Sequence, residues 1–177
     1  MRNDYEIRGE ITAIFLNRKD GTTFESFVDT KDLELLNQFK NKWYPKWDKT
    51  TKSFYVYGHQ YFQGKMHSVF LHRYLLNAKK NLVVDHINHN TLDNRRSNLR
   101  LITRAQNNQN RKGAQVNSES GIRGVHWIKK HNKYQAFIQI NNKGIQLGLF
   151  DDINKAEKAV IEARKKLMPY SCETEVC

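Results

Sequence analysis

The stretch "VVDHINHNTLDNRRSNLRLITRAQNNQN", residues 83–110, constrains this chain more than any other. It places seven asparagines and one Asp-His pair, Asp85 and His86, among apolar fragments too short to be buried helices. "LVVDHI" and "NLRLIT" read as strands, and "NHNTLDNRRS" as a long polar turn between them. Thr103 can then cap a helix, "RAQNNQNRK", which gives the order strand, loop, strand, helix. Asparagine and aspartate serve such loops as turn acceptors and caps. The same residue types also suit chemistry.

Charge narrows the choice of partner. The chain of 177 residues has a formal net charge of +12, so its field draws in polyanions. No apolar run of about eighteen residues is present, and no charged-then-apolar leader opens the chain. The expectation is a soluble, unprocessed cytoplasmic protein of a bacterial or phage-infected cell, with no membrane partner. The cysteines, Cys172 and Cys177, lie in a polar tail without metal-ligand spacing, which excludes structural zinc and predicts reduced, disordered thiols.

Before the polar stretch the chain reads as β-rich. Ile11, Ala13 and Phe15 alternate onto one face, Asp20-Gly21 supplies a turn, and Phe24 and Val28 continue in a second strand. Thr30 can cap a helix in which Leu33, Leu36 and Phe39 share a face. Trp43, Tyr44, Trp47 and the strand "SFYVYG" read as core filling for a small domain. "VFLHRYLLNA" reads as a helix, with Phe70, Tyr74 and Leu75 inward and Arg73 free to reach a phosphate.

The residues after the stretch form another pattern. "KGAQVNSESG" is polar and glycine-bearing, the composition of a linker. Three strands follow, "GIRGVHWIKK", "KYQAFIQI" and "GIQLGLF", then a helix capped by Asp152, with Ile153, Ala156, Val160, Ala163 and Leu167 on one side and Pro169 as its stop. On the middle strand Tyr134, Ala136 and Ile138 point one way, and Gln135, Phe137 and Gln139 the other.

Aspartate carboxylate and asparagine amide oxygens are hard donors suited to Mg²⁺ or Mn²⁺, and a sparse protein set leaves room for phosphate oxygens. Histidine, with an ordinary pKa near ~6.5, can take a proton from water at neutral pH. On these residues the stretch resembles the HNH family of nucleases, whose core is a hairpin and a helix gripping one divalent ion. In "DHIN…LDNR…NLR…T…NN.N", Asn98 follows His86 by twelve residues and Asn107 follows Asn98 by nine. The resemblance implies His86 as general base, Asp85 and Asn107 as metal ligands, and Asn98 as the residue that orients the loop holding His86. It implies one Mg²⁺ or Mn²⁺ ion, double-stranded DNA as substrate, and 5′-phosphate and 3′-hydroxyl products. Arg73, Arg95 and Arg96 are expected DNA contacts, while Asn88, Asn90 and Asn94 shape the loop, and Asn108 and Asn110 face solvent or DNA. His89 stands where many relatives have glycine, and His72 is expected to be structural.

Residues 120–167 resemble the DNA-binding domain of plant ethylene-response factors, through "RGV", "LG.F" and the alanine-bearing helix. That resemblance implies that Arg123, His126 and Gln139 face bases in the major groove, and that Lys129 and Lys130 touch phosphates. Phe137 and Gln146 share that face, and Trp127 is core. The expected fold class is therefore α+β: a small β-rich region at 1–65 of unknown role, a ββα-metal core at 66–111, a linker at 112–121, a three-stranded antiparallel sheet on one helix at 122–168, and a disordered tail at 169–177. The expected function is a homing-type DNA endonuclease, single-strand nicking being one form of that activity, without a small-molecule cofactor and favoured as a monomer. The alternative is a catalytically inactive, sequence-specific DNA-binding regulator.

Overall fold

A computed structural model describes residues 1–111, 113–115 and 117–173. The chain divides into two compact units, Met1–Thr103 and Arg104–Cys177. No helix among the described residues is long and apolar enough to cross a membrane.

The first unit is built from small antiparallel sheets. Strands β1 (Tyr5–Arg8), β2 (Ile11–Asn17) and β3 (Thr23–Asp29) form one sheet with β2 in the middle, followed by the short helix α1 (Leu33–Asn37). Strands β4 (Trp43–Asp48), β5 (Ser53–Phe62) and β6 (Lys65–Phe70) form a second, and α2 (Leu71–Leu75) follows it directly. The polar stretch supplies a two-stranded pair, β7 (Val83–His86) and β8 (Leu99–Ile102).

One core joins the two three-stranded sheets, the two helices and the β7–β8 pair. Ile14, Leu16, Val28, Leu36, Trp43, Val56, Leu71, Val84 and Leu99 belong to a single buried cluster, so residues 1–65 are part of the same folded body as β7 and β8. A boundary at residue 66 would cut through this cluster. Phe39 stacks on Trp43 with ring centroids 4.0 Å apart, and Gly58 leaves the room for it.

On β2, Thr12, Ala13, Ile14 and Leu16 are fully buried, while Ile11 and Phe15 are half-buried. Two local expectations are corrected. Thr30 does not cap α1; it begins a 3-10 turn, and its hydroxyl donates to the carbonyl of Gly9. The helix expected from residue 69 starts at Leu71, because Val69 and Phe70 complete β6. The β5–β6 hairpin turns at Gln63 and Gly64, both with positive φ, a pairing that fits the right-handed twist of two-residue hairpins.

The second unit begins with the short helix α3 (Arg104–Asn107). Strands β9 (Val125–Ile128), β10 (Lys133–Ile140) and β11 (Lys143–Phe150) form an antiparallel sheet with β10 central. Helix α4 (Ile153–Leu167) packs Ala156, Val160 and Ala163 against Val125, Ala136 and Ile138. The Asp152 carboxylate caps it, accepting from the amides of Asn154 and Lys155 at 2.7 and 3.0 Å. Leu167 is 46% exposed and Met168 takes the expected inward position.

Segments expected to be loose are packed into this unit. Ser120 of the expected linker donates to the carbonyl of Val125 at 2.6 Å. In the expected tail, Ser171 is buried and Glu173 pairs with Arg164. Cys172 is half-buried; Cys177 lies outside the described residues, as do Lys112 and Val116 of the linker.

The glycine of "RGV" has a geometric cause. Gly124 has φ +84°, its carbonyl accepts from the amide of Phe137 at 2.8 Å, and a Cβ there would lie 2.6 Å from the Phe137 oxygen. Gly124→Ala should therefore cost about 2 kcal/mol or more, read as a lower urea midpoint for the full chain.

Candidate functional site

Strand pairing puts Asp85 opposite Arg100 and His86 opposite Leu99. Arg100 donates to Oδ2 of Asp85 from Nε at 2.9 Å and makes its ion pair through Nη2 at 2.8 Å. Both side chains are largely enclosed, which strengthens such a charge-assisted pair.

Beyond His86 the chain enters a loop that its own polar side chains hold shut. The Asn98 side-chain oxygen accepts from the amide of Asn88 at 2.9 Å, and its nitrogen donates to the carbonyl of Asp93 at 2.8 Å. Asn88 and Asn90 accept from amides two residues on, the geometry of Asx turns. Asp93 receives a forked pair of bonds from Arg95, each 2.7 Å. His89 has φ +63°, so its backbone sits where glycine is least strained.

The N-terminal sheet then seals this loop. The amide of Asn94 donates to the carbonyl of Phe27 at 2.7 Å, and the amide of Phe27 donates to the carbonyl of Leu92 at 2.9 Å. Asn94 is fully buried; its amide nitrogen donates to Ser26 Oγ at 3.0 Å, while its oxygen lies 3.4 Å from His86 Nε2. Arg96 forks onto Asp32 and also reaches the carbonyl of Leu75. A loop this polar can be buried only because nearly every donor and acceptor finds such a partner.

His86 is 5% exposed and ringed by aromatic groups. Its ring centroid lies 5.1 Å from that of His72 and 6.0 Å from that of Tyr55. Burial lowers its pKa from the ordinary histidine value, while the Asn94 contact and the charges of Asp85 and Asp93 pull the other way without overcoming it. Burial, then His86 and Arg73, push His72 down to about 3. Burial pulls the Asp93 carboxyl up, but Arg95 and Asn88 together hold it below its usual value. Both imidazoles are therefore neutral at pH 7.

The remaining predicted residues fall in different settings. Arg73 donates to the carbonyls of Leu82, Ala78 and Lys79, tying down the turn after α2 instead of standing free. Arg123 donates to the carbonyls of Asn108, Gln109 and Arg111. Arg95 and Arg96 are ion-paired yet keep guanidinium side chains 35% and 40% exposed. His126, Gln139, Lys129 and Lys130 are exposed, and His126 lies 6.4 Å from Phe137 on the face opposite α4. Asn107 is the last residue of α3, in the second unit. Asn110, expected to face outward, is buried.

Sequence reasoning passed over three contributors: Arg100, Asp93 and Tyr55. Arg100 and Asp93 were legible as charges inside the polar stretch. Nothing in the sequence signalled that Tyr55, thirty-one residues upstream of His86, would meet its ring.

Residues 77–109 match the family model described as HNH endonuclease. The matched segment contains β7, the loop, β8 and α3, and it supports a nuclease acting on nucleic acid. No curated protein and no solved structure matches the chain.

Asn98→Ala would leave the Asn88 amide and the Asp93 carbonyl without their partner; it should lower stability by about 2–3 kcal/mol in urea unfolding. His72 gives a pH signature. Its folded pKa lies below the unfolded value, so its neutral form is at full advantage above about 6.5, and stability is lost as pH falls from there toward 3. His72→Phe should show a smaller drop in melting temperature between pH 7 and pH 4 than the unaltered chain.

Proposed function

We propose that the chain is a divalent-metal-dependent DNA endonuclease of homing type, hydrolysing phosphodiesters to 5′-phosphate and 3′-hydroxyl ends. The observation that carries this reading is the Asn98-closed loop, which fixes His86 at the end of β7 beside Asp85, within the segment matching the HNH family. His86, kept neutral by burial, has an unprotonated ring nitrogen with which to accept a proton from water. Asn94 and the rings of His72 and Tyr55 hold its orientation.

The donor chemistry suits a hard, largely hydrated ion. Mg²⁺ or Mn²⁺ can be held by one carboxylate and several waters. Asp85 would hold that ion and share its carboxylate with Arg100, which donates to Oδ2. Asn107 enters as a second ligand on the family resemblance and its spacing alone. When bound, the ion supplies charge relief at the departing 3′ oxygen.

For DNA recognition we assign His126 and Gln139 to bases and Lys129 and Lys130 to phosphates, following the likeness to the ethylene-response-factor domain. Arg95 and Arg96, with side chains 35% and 40% exposed, would add phosphate contacts, whereas Arg73 and Arg123 brace backbone. A second reading, a DNA-binding regulator that does not cut, is favoured by the enclosure of His86 and by the Asp85–Arg100 pair.

Supercoiled plasmid incubated with purified protein separates the two. Cutting with Mg²⁺ or Mn²⁺ that stops on chelation supports the nuclease; binding without cutting under any divalent ion supports the regulator. His86→Ala should slow cleavage by about a hundredfold to ten-thousandfold with duplex binding retained. Unchanged cutting by that variant would remove His86 from the mechanism. Lys129→Ala with Lys130→Ala should weaken duplex binding and flatten its salt dependence, read by titration at two ionic strengths.

A further inference from the structure

The outward face of the β4–β5–β6 sheet carries rings where a solvent face usually carries charge. Directly opposite residues share a face of a sheet. The register sets Tyr44 against Tyr57, Lys46 against Tyr55, Tyr57 against Phe70, and Tyr61 against Met66. All lie on the side away from buried Val56 and Gly58, which belong to the core face. Tyr61 is 73% exposed and Tyr44 40%.

The row continues to the candidate site. Tyr55 has ring centroids 6.1 Å from Phe70, 5.9 Å from His72 and 6.0 Å from His86. Rings therefore run from Tyr61, near the free end of the hairpin, to the proposed general base, with Tyr55 to Tyr61 spanning about 20 Å of extended strand.

Charge on this face is complementary to a polyanion. Lys46 sits within it, its Nζ 5.4 Å from the Tyr57 ring centroid and 5.6 Å from that of Phe70. Asp48, at the far end, accepts from the amides of Thr50 and Thr51. Cross-strand aromatic pairs stabilise a sheet where one ring shields another, but that does not account for the most exposed ring standing at the outer end of the row. Flat rings beside a cation are what bind the bases and backbone of an unpaired nucleic acid strand.

We propose that this face is a stacking platform for unpaired nucleotides of DNA, Tyr44, Tyr57 and Tyr61 holding bases and Lys46 a phosphate. Delivery of the strand toward His86 rests on the nuclease reading above; the binding itself does not.

The test uses the full chain carrying His86→Ala, in chelator, so that cleavage plays no part. Fluorescence anisotropy measures binding of an oligothymidine of about twelve residues and of an abasic oligonucleotide of the same length. The oligothymidine should bind more tightly than the abasic strand. Tyr44→Ala with Tyr61→Ala should weaken oligothymidine binding about tenfold or more, and Tyr44→Phe with Tyr61→Phe should restore it. Equal binding of the two strands, or unaltered binding by the alanine variant, would overturn the proposal. Should the alanine variant melt early, crosslinking of a bromodeoxyuridine strand to the His86→Ala chain decides instead. Adducts on β4 or β5 support the platform, and adducts confined elsewhere overturn it. Absence of plasmid cutting by the unaltered chain would defeat the nuclease reading and leave these outcomes as they stand.

Discussion

The first unit depends on satisfying a polar loop that cannot be left in water if His86 is to be held. Asn98 bonds the loop to itself, and Asn94 carries the connection to Ser26 on β3, whose hydroxyl in turn donates to the carbonyl of Leu92. Each of these groups is buried, so each would carry a desolvation cost if its partner were lost. The N-terminal sheets therefore complete the loop's hydrogen bonding and cannot be an independent appendage. Thr91 extends the same logic to the second sheet, its hydroxyl donating to the carbonyl of Phe54 at 2.6 Å.

Arginines follow a similar rule. Arg95 is paired with Asp93, Arg96 with Asp32 and Arg100 with Asp85, while Arg73 and Arg123 are bonded to runs of carbonyls. A planar guanidinium presents five donors in a fixed fork and so bridges several acceptors at once, where lysine brings three donors on a single nitrogen. A net charge of +12 thus overstates how many arginines are left to meet a polyanion. The Asp85–Arg100 pair has a further effect: it keeps the carboxylate in place at the strand end, next to the neutral His86, in surroundings where an isolated charge would be costly.

Much of the secondary structure was legible from periodicity and turn chemistry. The β7-loop-β8 order, the three strands before α4 and the Asp152 cap all follow from local patterns that local forces satisfy. The errors lie where a residue's setting depends on distant chain. The burial of β2 was not legible because β2 is a central strand, and apolar alternation alone does not say which side meets the core. The β5–β6 hairpin was missed because Gln63-Gly64 is not a strong turn signal, although its backbone adopts a left-handed conformation at both residues. Tyr44 and Trp43 looked alike as aromatics; pairing opposite Tyr57 and Gly58 sent one outward and one into the core.

The sequence by itself determined the chemistry on offer: a carboxylate and an imidazole adjacent on a short strand, a loop rich in asparagine, and a basic chain. Those follow from residue identity and spacing, which no folding event changes. Only the tertiary structure decided which partner each group takes, that Arg100 rather than solvent faces Asp85, and that Tyr55 and His72 close around His86. Those pairings join residues separated along the chain, and they exist because burying one common core brings the sheets together, which no local signal specifies.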